Sequence, residues 1–271
     1  MSLVYYLHTR SRSNRDRANA VQPRPPNSSH KFHISELNPL RSLSLFFTDK
    51  ETSILLLYSG SIYASTYMVL SSMSDQLQIG YNLSTLQGSL CYFSTGFGTM
   101  SSVLAIGRLL DWNFRRHARI LGIEISKDKQ QDLTTYPIER ARLQLGLPFL
   151  ILSGIMLLVY SWTLQTRIHL AVPLIFLFLQ SFGSSCAYSC FNNLIMDLNR
   201  KRPGTASAAL NLSRCWMGAG GVAFAGPLNR VAGVGWMGVT IAGVWLVLSP
   251  LVALVVRSGP RWREERRLRE V

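Results

Sequence analysis

Acidic side chains are scarce in this sequence. It contains 14 Asp and Glu against 28 Lys and Arg, a formal net charge of +14 over 271 residues. Its five histidines lie in predicted tails or loops, away from any Ser/Asp or Cys arrangement that would support catalysis. A phosphate-binding loop of the Gly-xxxx-Gly-Lys type is also absent. These absences argue against an enzyme and against transport driven by ATP.

Cysteine is equally sparse. The four cysteines, Cys91, Cys186, Cys190 and Cys215, all fall inside apolar stretches. A disulfide framework is therefore not expected, because none of these residues lies in a predicted loop. Cys186 and Cys190 are one helical turn apart, but no His or acid is close to them in sequence. We expect them to pack as small buried side chains and not to bind a metal.

Long apolar runs, by contrast, are abundant. There are six of them, over residues 54–77, 83–107, 143–165, 170–197, 204–228 and 236–256. A hydrocarbon layer of about 30 Å requires about 20 apolar residues per helix. The sequence therefore predicts an all-α integral membrane protein in which residues 51–258 form one bundle of six transmembrane helices.

Basic residues are sorted to one side of these runs. Of the 28 Lys and Arg, only Arg167 and Arg230 fall in loops predicted on the other side. The positive-inside rule then predicts that both termini are cytosolic. The clusters flank the spans, where each basic residue near an anionic leaflet contributes about 1 kcal/mol of attraction. The charge thus indicates the lipid bilayer as a partner, and no nucleic acid is expected.

The segments outside the spans differ in composition. Residues 1–33 are rich in Arg, Ser, Asn and Pro, which is typical of a disordered cytosolic segment or of an organelle transit peptide. Residues 34–50 alternate apolar and polar side chains and predict an amphipathic interfacial helix. Residues 108–142 are predicted to be a cytosolic loop, and residues 259–271 a basic cytosolic tail.

A charged motif follows the second span at its cytosolic end. It comprises Gly107, Arg108, Asp111, Arg115 and Arg116. Glycine permits close approach of a neighbouring helix, and an aspartate one turn later can pair with a basic residue or cap a helix. We expect the paired arginines to anchor a short loop at the lipid headgroups.

This motif resembles the cytosolic loop of the major facilitator superfamily, Gly-xxx-Asp-basic-x-Gly-basic-basic. The chain has Trp112 where a basic residue is usual and Phe114 where glycine is usual. Further stretches resemble the C-terminal half of fungal drug:proton antiporters, including quinidine-resistance-type multidrug exporters. These are residues 111–117, 130–133, 137–143, 211–215 and 259–266. The resemblance extends over about residues 38–267.

The resemblance implies a function and a missing half. Such exporters have twelve spans in two six-helix bundles around a central cavity, and this chain would be the C-terminal-type bundle. It implies export of drug-like or polyamine-like small molecules across the plasma membrane, driven by a proton gradient and without a bound cofactor. The chain would then be a half-transporter, completed by a second six-helix half or by a self-dimer, or a truncated form. The alternative is a six-helix membrane protein without transport activity, acting as an interaction partner or an inert remnant.

Arg214 is the first candidate for a site residue. It lies 11 residues after Pro203, or about 16 Å along a helix, close to the bilayer midplane. A charge at that depth costs at least about 2.5 kcal/mol, so the side chain should face a cavity or a partner. It could bind anionic groups of a solute or control the protonation of a nearby acid. Equally, it could bind backbone carbonyls and hold helices together.

Four further residues are candidates for the wall of the cavity. Tyr63 and Tyr67 lie four apart on one face of the first span, where aromatic rings suit multidrug ligands as well as core packing. Asn192 could line the cavity or form interhelical hydrogen bonds. Asn211 lies beside Arg214 in one of the stretches that resemble the exporters.

Acids are missing from the centre of the predicted spans. The two within them, Asp75 and Asp197, lie near the span ends. Asp197 is expected to pair with Arg200, Lys201 or Arg202. The lack of a deep acid argues against proton coupling by this chain alone.

Overall fold

The computed structural model describes residues 49–120, 138–200 and 202–269. Helices dominate these ranges: α1 (Lys50–Tyr81), α2 (Thr85–Ile120), α3 (Ile138–Gln165), α4 (Ala171–Leu198) and α5 (Pro203–Arg269). Gly233 interrupts α5 with φ 83° and ψ 169°, a conformation available to glycine because it lacks a Cβ. We therefore divide α5 into α5a, residues 203–232, and α5b, residues 234–269.

The chain reverses direction at Gly233. Later residues of α1 contact later residues of α5a but earlier residues of α5b. Helix α5a therefore runs parallel to α1, and α5b runs antiparallel to it. The hydrogen bonds that establish this order join Ser213 to Leu56, Asn229 to Ser72, Tyr58 to Trp245 and Ser72 to Met237. One residue outside the helical conformation is thus enough to form a helical hairpin.

The other helix pairs extend the same pattern. Helix α4 is antiparallel to α1 and α3 and parallel to α2. The contacts that show this are Asn199–Thr52 and Phe191–Tyr58 with α1, Asp197–Arg142 and Gln180–Ser153 with α3, and Leu174–Ser94 and Cys186–Ser102 with α2. Within the described ranges, the segments α1, α2, α3, α4, α5a and α5b therefore alternate in direction.

Five helices of the described part are long and apolar enough to cross a membrane. They are Lys50–Tyr81, Thr85–His117, Arg142–Gln165, Ala171–Leu198 and Val234–Gly259. The prediction of an all-helical membrane protein is confirmed at this level. The predicted span 204–228 lies within α5a and is helical, but its glycines, alanines and polar residues make it less apolar than the other five. The count of six spans stays a prediction.

The apolar core lies mainly between α1, α3, α4 and α5. A second, smaller cluster packs α2 against α4 through Ile106, Leu110, Cys186 and Cys190. The buried face of α2 continues beyond this cluster to Asn113, which is 3% exposed. Because that face continues, α2 stays helical to Ile120 where the sequence predicted a loop.

Other predicted boundaries also shift. Helix α1 begins at Lys50, within the predicted interfacial segment, and α5b remains helical to Arg269, within the predicted tail. Helix α3 begins at Ile138, inside the predicted loop. Residues 1–48 and 121–137, which include the rest of the predicted N-terminal segments and of the loop, lie outside the described residues.

Some glycines of the bundle mediate close helix contacts. A Cβ at Gly98 of α2 would lie 2.6 Å from the Phe178 carbonyl oxygen of α4. A Cβ at Gly221 of α5a would lie 3.1 Å from the Ala64 carbonyl oxygen of α1. Gly88, in contrast, has no neighbouring atom within 4 Å of such a Cβ. Only some of the glycines therefore serve packing in the described bundle.

One exposed face of α2 changes from apolar to cationic along its length. The apolar part is formed by Leu86, Leu90, Phe93, Phe97, Met100 and Leu104, all exposed. By helical spacing, the exposed Arg108, Arg115 and Arg119 continue the same face. The change between Leu104 and Arg108 is the expected position of a membrane boundary, since arginine is costly in hydrocarbon.

Candidate functional site

Arg214 lies where α5a faces α1 and α4. Its Nη1 donates a hydrogen bond to the Tyr63 hydroxyl at 3.3 Å, and its Cζ lies 4.7 Å from the centroid of the Tyr63 ring. Tyr188 of α4 packs against the other side of this site through its ring contact with Tyr63. A cation over an aromatic face is attracted by the ring quadrupole, most strongly where water is excluded. Aromatic side chains thus hold this arginine.

Three tyrosines surround the guanidinium. The Tyr63 ring lies 5.3 Å from that of Tyr67 and 5.0 Å from that of Tyr188, centroid to centroid. These separations are in the favourable range for aromatic pairs. Tyr63, Tyr188 and Arg214 are half-buried, whereas Tyr67 is 41% exposed. We call these four residues the Arg–Tyr cluster; it opens on the surface of the bundle.

The cluster lies at one depth along three helices. Tyr63 is 13 residues after Lys50, Arg214 is 11 residues after Pro203, and Tyr188 is 10 residues before Leu198. At 1.5 Å per residue these positions are about 20, 16 and 15 Å from helix ends that lie on the same side of the bundle. Helix ends extend past the apolar layer, however: the Sγ of Cys186, two residues before Tyr188, lies 3.9 Å from the Ser102 carbonyl oxygen of α2. The cluster therefore lies nearer the expected boundary between Leu104 and Arg108 than the membrane centre predicted for Arg214.

Close packing of α1 against α5a brings Arg214 to Tyr63. Ser213 donates a hydrogen bond to the Leu56 carbonyl oxygen at 2.8 Å. A Cβ at Gly60 would lie 2.6 Å from the Ser213 Oγ, so a larger residue there would displace this hydroxyl from its hydrogen bond. On the same side of α5a, Gly218 leaves room for the Tyr67 ring, whose nearest atom would be 2.9 Å from a Cβ there.

The other predicted cavity residues lie on the helix faces next to the cluster. Asn192 is half-buried and follows Tyr188 by one turn of α4, and Asn211 is exposed and precedes Arg214 by one turn of α5a. The structure therefore brings Tyr63, Tyr67 and Arg214 together and places the two asparagines beside them. Tyr188 was not among the predicted residues, and its four-residue spacing from Asn192 does not by itself distinguish it from other aromatic residues.

Acids of the described part lie away from the cluster. Asp197 accepts hydrogen bonds from Arg142 Nε and Nη2 at 3.2 and 3.1 Å, and its other oxygen is 3.2 Å from Arg200 Nη2. Arg200 was predicted as a partner, whereas Arg142 of α3 was not. Asp75 is exposed, and Glu51, just outside the predicted first span, is only 1% exposed near the start of α1. Among the described residues, no carboxylate forms an ion pair with Arg214.

The charged motif at the end of α2 is exposed in the described bundle. A Cβ at Gly107 would meet no atom within 4 Å, and Arg108, Asp111, Arg115 and Arg116 are all exposed. Asp111 has no ion pair within the described ranges. The opposite face of α2 makes the contact with α4, so the close approach at Gly107, the pairing of Asp111 and the anchoring of the arginines stay predictions.

One contact within that motif region was not predicted. The Arg116 guanidinium lies over the indole of Trp112, with Cζ 5.6 Å from the ring centroid. Trp112 is 57% exposed. The tryptophan that occupies the usual basic position therefore supports an arginine by stacking, one helical turn away.

Comparison with known proteins assigns a family. Residues 2–222 match the family described as Major Facilitator Superfamily. The MFS-type transporter phiL of Fungal sp. (strain ATCC 74256) is 38% identical over 237 residues, which are 86% of this chain and 56% of phiL. The MFS-type transporter M6 of Phoma sp. is 37% identical over 229 residues, 84% of this chain and 42% of M6.

A third relative carries a substrate in its name. Citrate exporter 1 of Aspergillus niger is 32% identical over 234 residues, 83% of this chain and 44% of the exporter. The chain spans about half the length of the curated relatives it matches.

Proposed function

Because this chain belongs to the major facilitator superfamily, a family of membrane transporters and not of enzymes, we propose that it forms the C-terminal-type half of a small-molecule exporter. The Arg–Tyr cluster is the observation that carries this proposal. A cation within the span of a transmembrane helix is costly, and such residues usually mark a solute or ion pathway. Here the cation is surrounded by aromatic rings from two other helices and remains accessible from the surface of the bundle.

A second bundle would complete the pathway. Tyr67 is 41% exposed and Arg214 is half-buried, so a facing helix bundle would enclose them in a cavity. The facing bundle would be a separate six-helix half or a second copy of this chain. Transport would then follow by rocking of the two bundles, which opens the enclosed site to each side in turn.

Proton-coupled export of the multidrug type is the transport mode we propose. Aromatic walls accept ligands of varied shape, which suits multidrug export. The described spans contain one buried acid, Glu51, near the start of α1, whereas Asp75 and Asp197 lie near helix ends. We therefore expect the facing bundle to supply the central proton-binding acid. One relative is named a citrate exporter, so charged metabolites are among the solutes to be tested with drugs.

The exposed arginines of α2 support a cytosolic orientation of the termini. Arg108, Arg115 and Arg119 continue the face whose apolar part ends at Leu104. Helix α1 begins and α5b ends on that same side of the bundle, because successive segments alternate in direction. By the positive-inside rule this side is cytosolic, and we propose the plasma membrane as the location.

Drug accumulation in exporter-deficient yeast tests the proposal. The chain is expressed alone, then together with the N-terminal six-helix half of a related exporter, and the Arg214→Ala variant is compared in each case. Arg230→Ala is the matched control, because Arg230 is an exposed arginine on the same helix, remote from the cluster. The proposal is supported if the chain lowers drug accumulation, and if Arg214→Ala abolishes this effect while Arg230→Ala preserves it.

Comparison of the chain alone with the chain plus the added half distinguishes the alternatives. Activity of the chain alone would indicate a self-dimer, and activity only with the added half would indicate a C-terminal module. No change in accumulation in either case, with the chain correctly inserted in the membrane, would contradict transport and favour a non-transporting membrane protein.

A further inference from the structure

The positive charge of the Arg–Tyr cluster is not balanced within the described bundle. Both ion pairs formed there involve Asp197, with Arg142 and Arg200 as the cations. Arg214 keeps its proton at any physiological pH. Its neighbours are neutral tyrosines, which reduce the cost of burying a cation but do not neutralise it. The cluster therefore carries one net positive charge in a half-buried, aromatic environment.

The cluster also has unused hydrogen-bond donors. A guanidinium has five N–H groups. Within the described residues, it donates a hydrogen bond from Nη1 to the Tyr63 hydroxyl. The hydroxyl that accepts this bond still has its own O–H to donate. The remaining N–H groups and the Tyr63 O–H are donors for an additional acceptor on the exposed side.

The surroundings of these donors are aromatic. The Tyr67 ring extends from Tyr63 toward the surface, with a centroid separation of 5.3 Å, and is 41% exposed. A ligand that accepts hydrogen bonds from Arg214 would therefore place its neighbouring atoms against a tyrosine ring. An apolar or aromatic body would gain from this contact, whereas a fully hydrated one would not.

We propose that the Arg–Tyr cluster binds a monoanionic carboxylate attached to an aromatic or other apolar body. The inference rests on the proposed function, since it names the class of solute for the same site. A carboxylate matches the planar fork of a guanidinium with two parallel hydrogen bonds. One negative charge neutralises the single positive charge, whereas a phosphate dianion would leave an excess charge buried.

A matched pair of probes tests the charge requirement directly. The full chain is purified in lipid nanodiscs, and the binding of naphthalene-2-carboxylate is compared with that of naphthalene-2-carboxamide at pH 7.5. The two probes share their ring and shape, but only the first is charged. The wild-type chain is expected to bind the carboxylate about tenfold or more tightly, as a charge-assisted hydrogen bond provides. Equal affinities would overturn the inference.

Variants assign the preference to particular atoms. Arg214→Gln is expected to bring carboxylate affinity down to that of the carboxamide, and Arg230→Gln, the matched control, is expected to leave the tenfold preference intact. A preference that survives in Arg214→Gln would overturn the inference. Should Arg214→Gln bind neither probe, Arg214→Lys decides, because lysine keeps the charge without the planar fork. A weakened preference in that variant supports the inference, and an unchanged one overturns it.

The outcome of this binding test is independent of the outcome of the transport assay. If the chain exports nothing but shows a carboxylate preference that depends on Arg214, the anion site is supported and the exporter function is refuted. If the chain exports neutral drugs but shows no preference for the carboxylate, the exporter function is supported and the anion site is refuted.

Discussion

Replacing Gly98 of α2 by alanine is expected to destabilise the bundle. A Cβ at this position would lie 2.6 Å from the carbonyl oxygen of Phe178 and 3.1 Å from the Cβ of Ser181. The first of these atoms belongs to the α4 backbone and cannot rotate away, so α2 and α4 must separate. Overpacking of this kind costs about 1–3 kcal/mol. Alanine regains at most about 1 kcal/mol as a better helix former, so a net loss is expected.

Gly96 provides the matched control. It lies on the same helix two residues away, and a Cβ there would meet no atom within 4 Å. Gly96→Ala therefore has the same gain in helix propensity without the clash. The difference in stability between the two variants isolates the steric cost, about 1–3 kcal/mol.

Thermal unfolding followed with a thiol-reactive dye measures this difference. Cys186 of α4 is buried against α2, with its Sγ 3.9 Å from the Ser102 carbonyl oxygen, so it becomes reactive when these helices separate. Cys215 is exposed and is replaced by alanine in every variant to remove its background. Gly98→Ala is expected to lower Tm by about 2–10 °C relative to Gly96→Ala. Equal Tm values would refute close packing of α2 on α4.

Two further sets of substitutions test the hairpin and the ion pairs. Gly233→Ala should cost about 1–3 kcal/mol, because φ is 83° and ψ is 169° there, a region that is essentially restricted to glycine. Gly220→Ala on α5a, where a Cβ would meet no atom within 4 Å, should leave Tm unchanged or raise it, and equal effects would contradict the reversal. In double-mutant cycles, Asp197 should couple to Arg142 by about 1 kcal/mol and to the more exposed Arg200, 49% accessible, by about 0.3–0.5 kcal/mol. The opposite order would contradict the bridge between α3 and α4.

The lengths of the apolar runs predicted the presence of the helices better than the residues at which these helices end. The third span was expected to finish at residue 165, and α3 ends at Gln165. The second was expected to finish at residue 107, yet α2 continues to Ile120. Its charged residues indicated a loop, while the three- and four-residue spacing of Ile106, Leu110 and Asn113 preserves one buried face. Periodicity, not mean polarity, determines where such a helix stops.

The site was accessible to sequence reasoning only in part. The depth of Arg214 follows from its distance to the start of its helix, and the structure places Tyr63 and Tyr67 beside it. Tyr188 could not be chosen over other aromatic residues, because its proximity depends on how far α4 slides along α1. The approach of α1 to α5a depends likewise on one crossing, at Gly60, and one sequence does not reveal which glycines meet a neighbouring helix.

The hairpin at Gly233 also bears on how this chain enters the membrane during synthesis. Residues 203–232 are not apolar enough to count among the five candidate spans, whereas Val234–Gly259 is the most apolar of them. With a single residue between the two helices, we expect the weakly apolar helix to enter lipid together with its more apolar partner. Arg214 would then insert only after the last helix has left the ribosome. For a chain truncated shortly after Gly233, the expectation is that every residue of the Arg–Tyr cluster is present but the site is lost, because α5a lacks the partner that brings it into the bilayer.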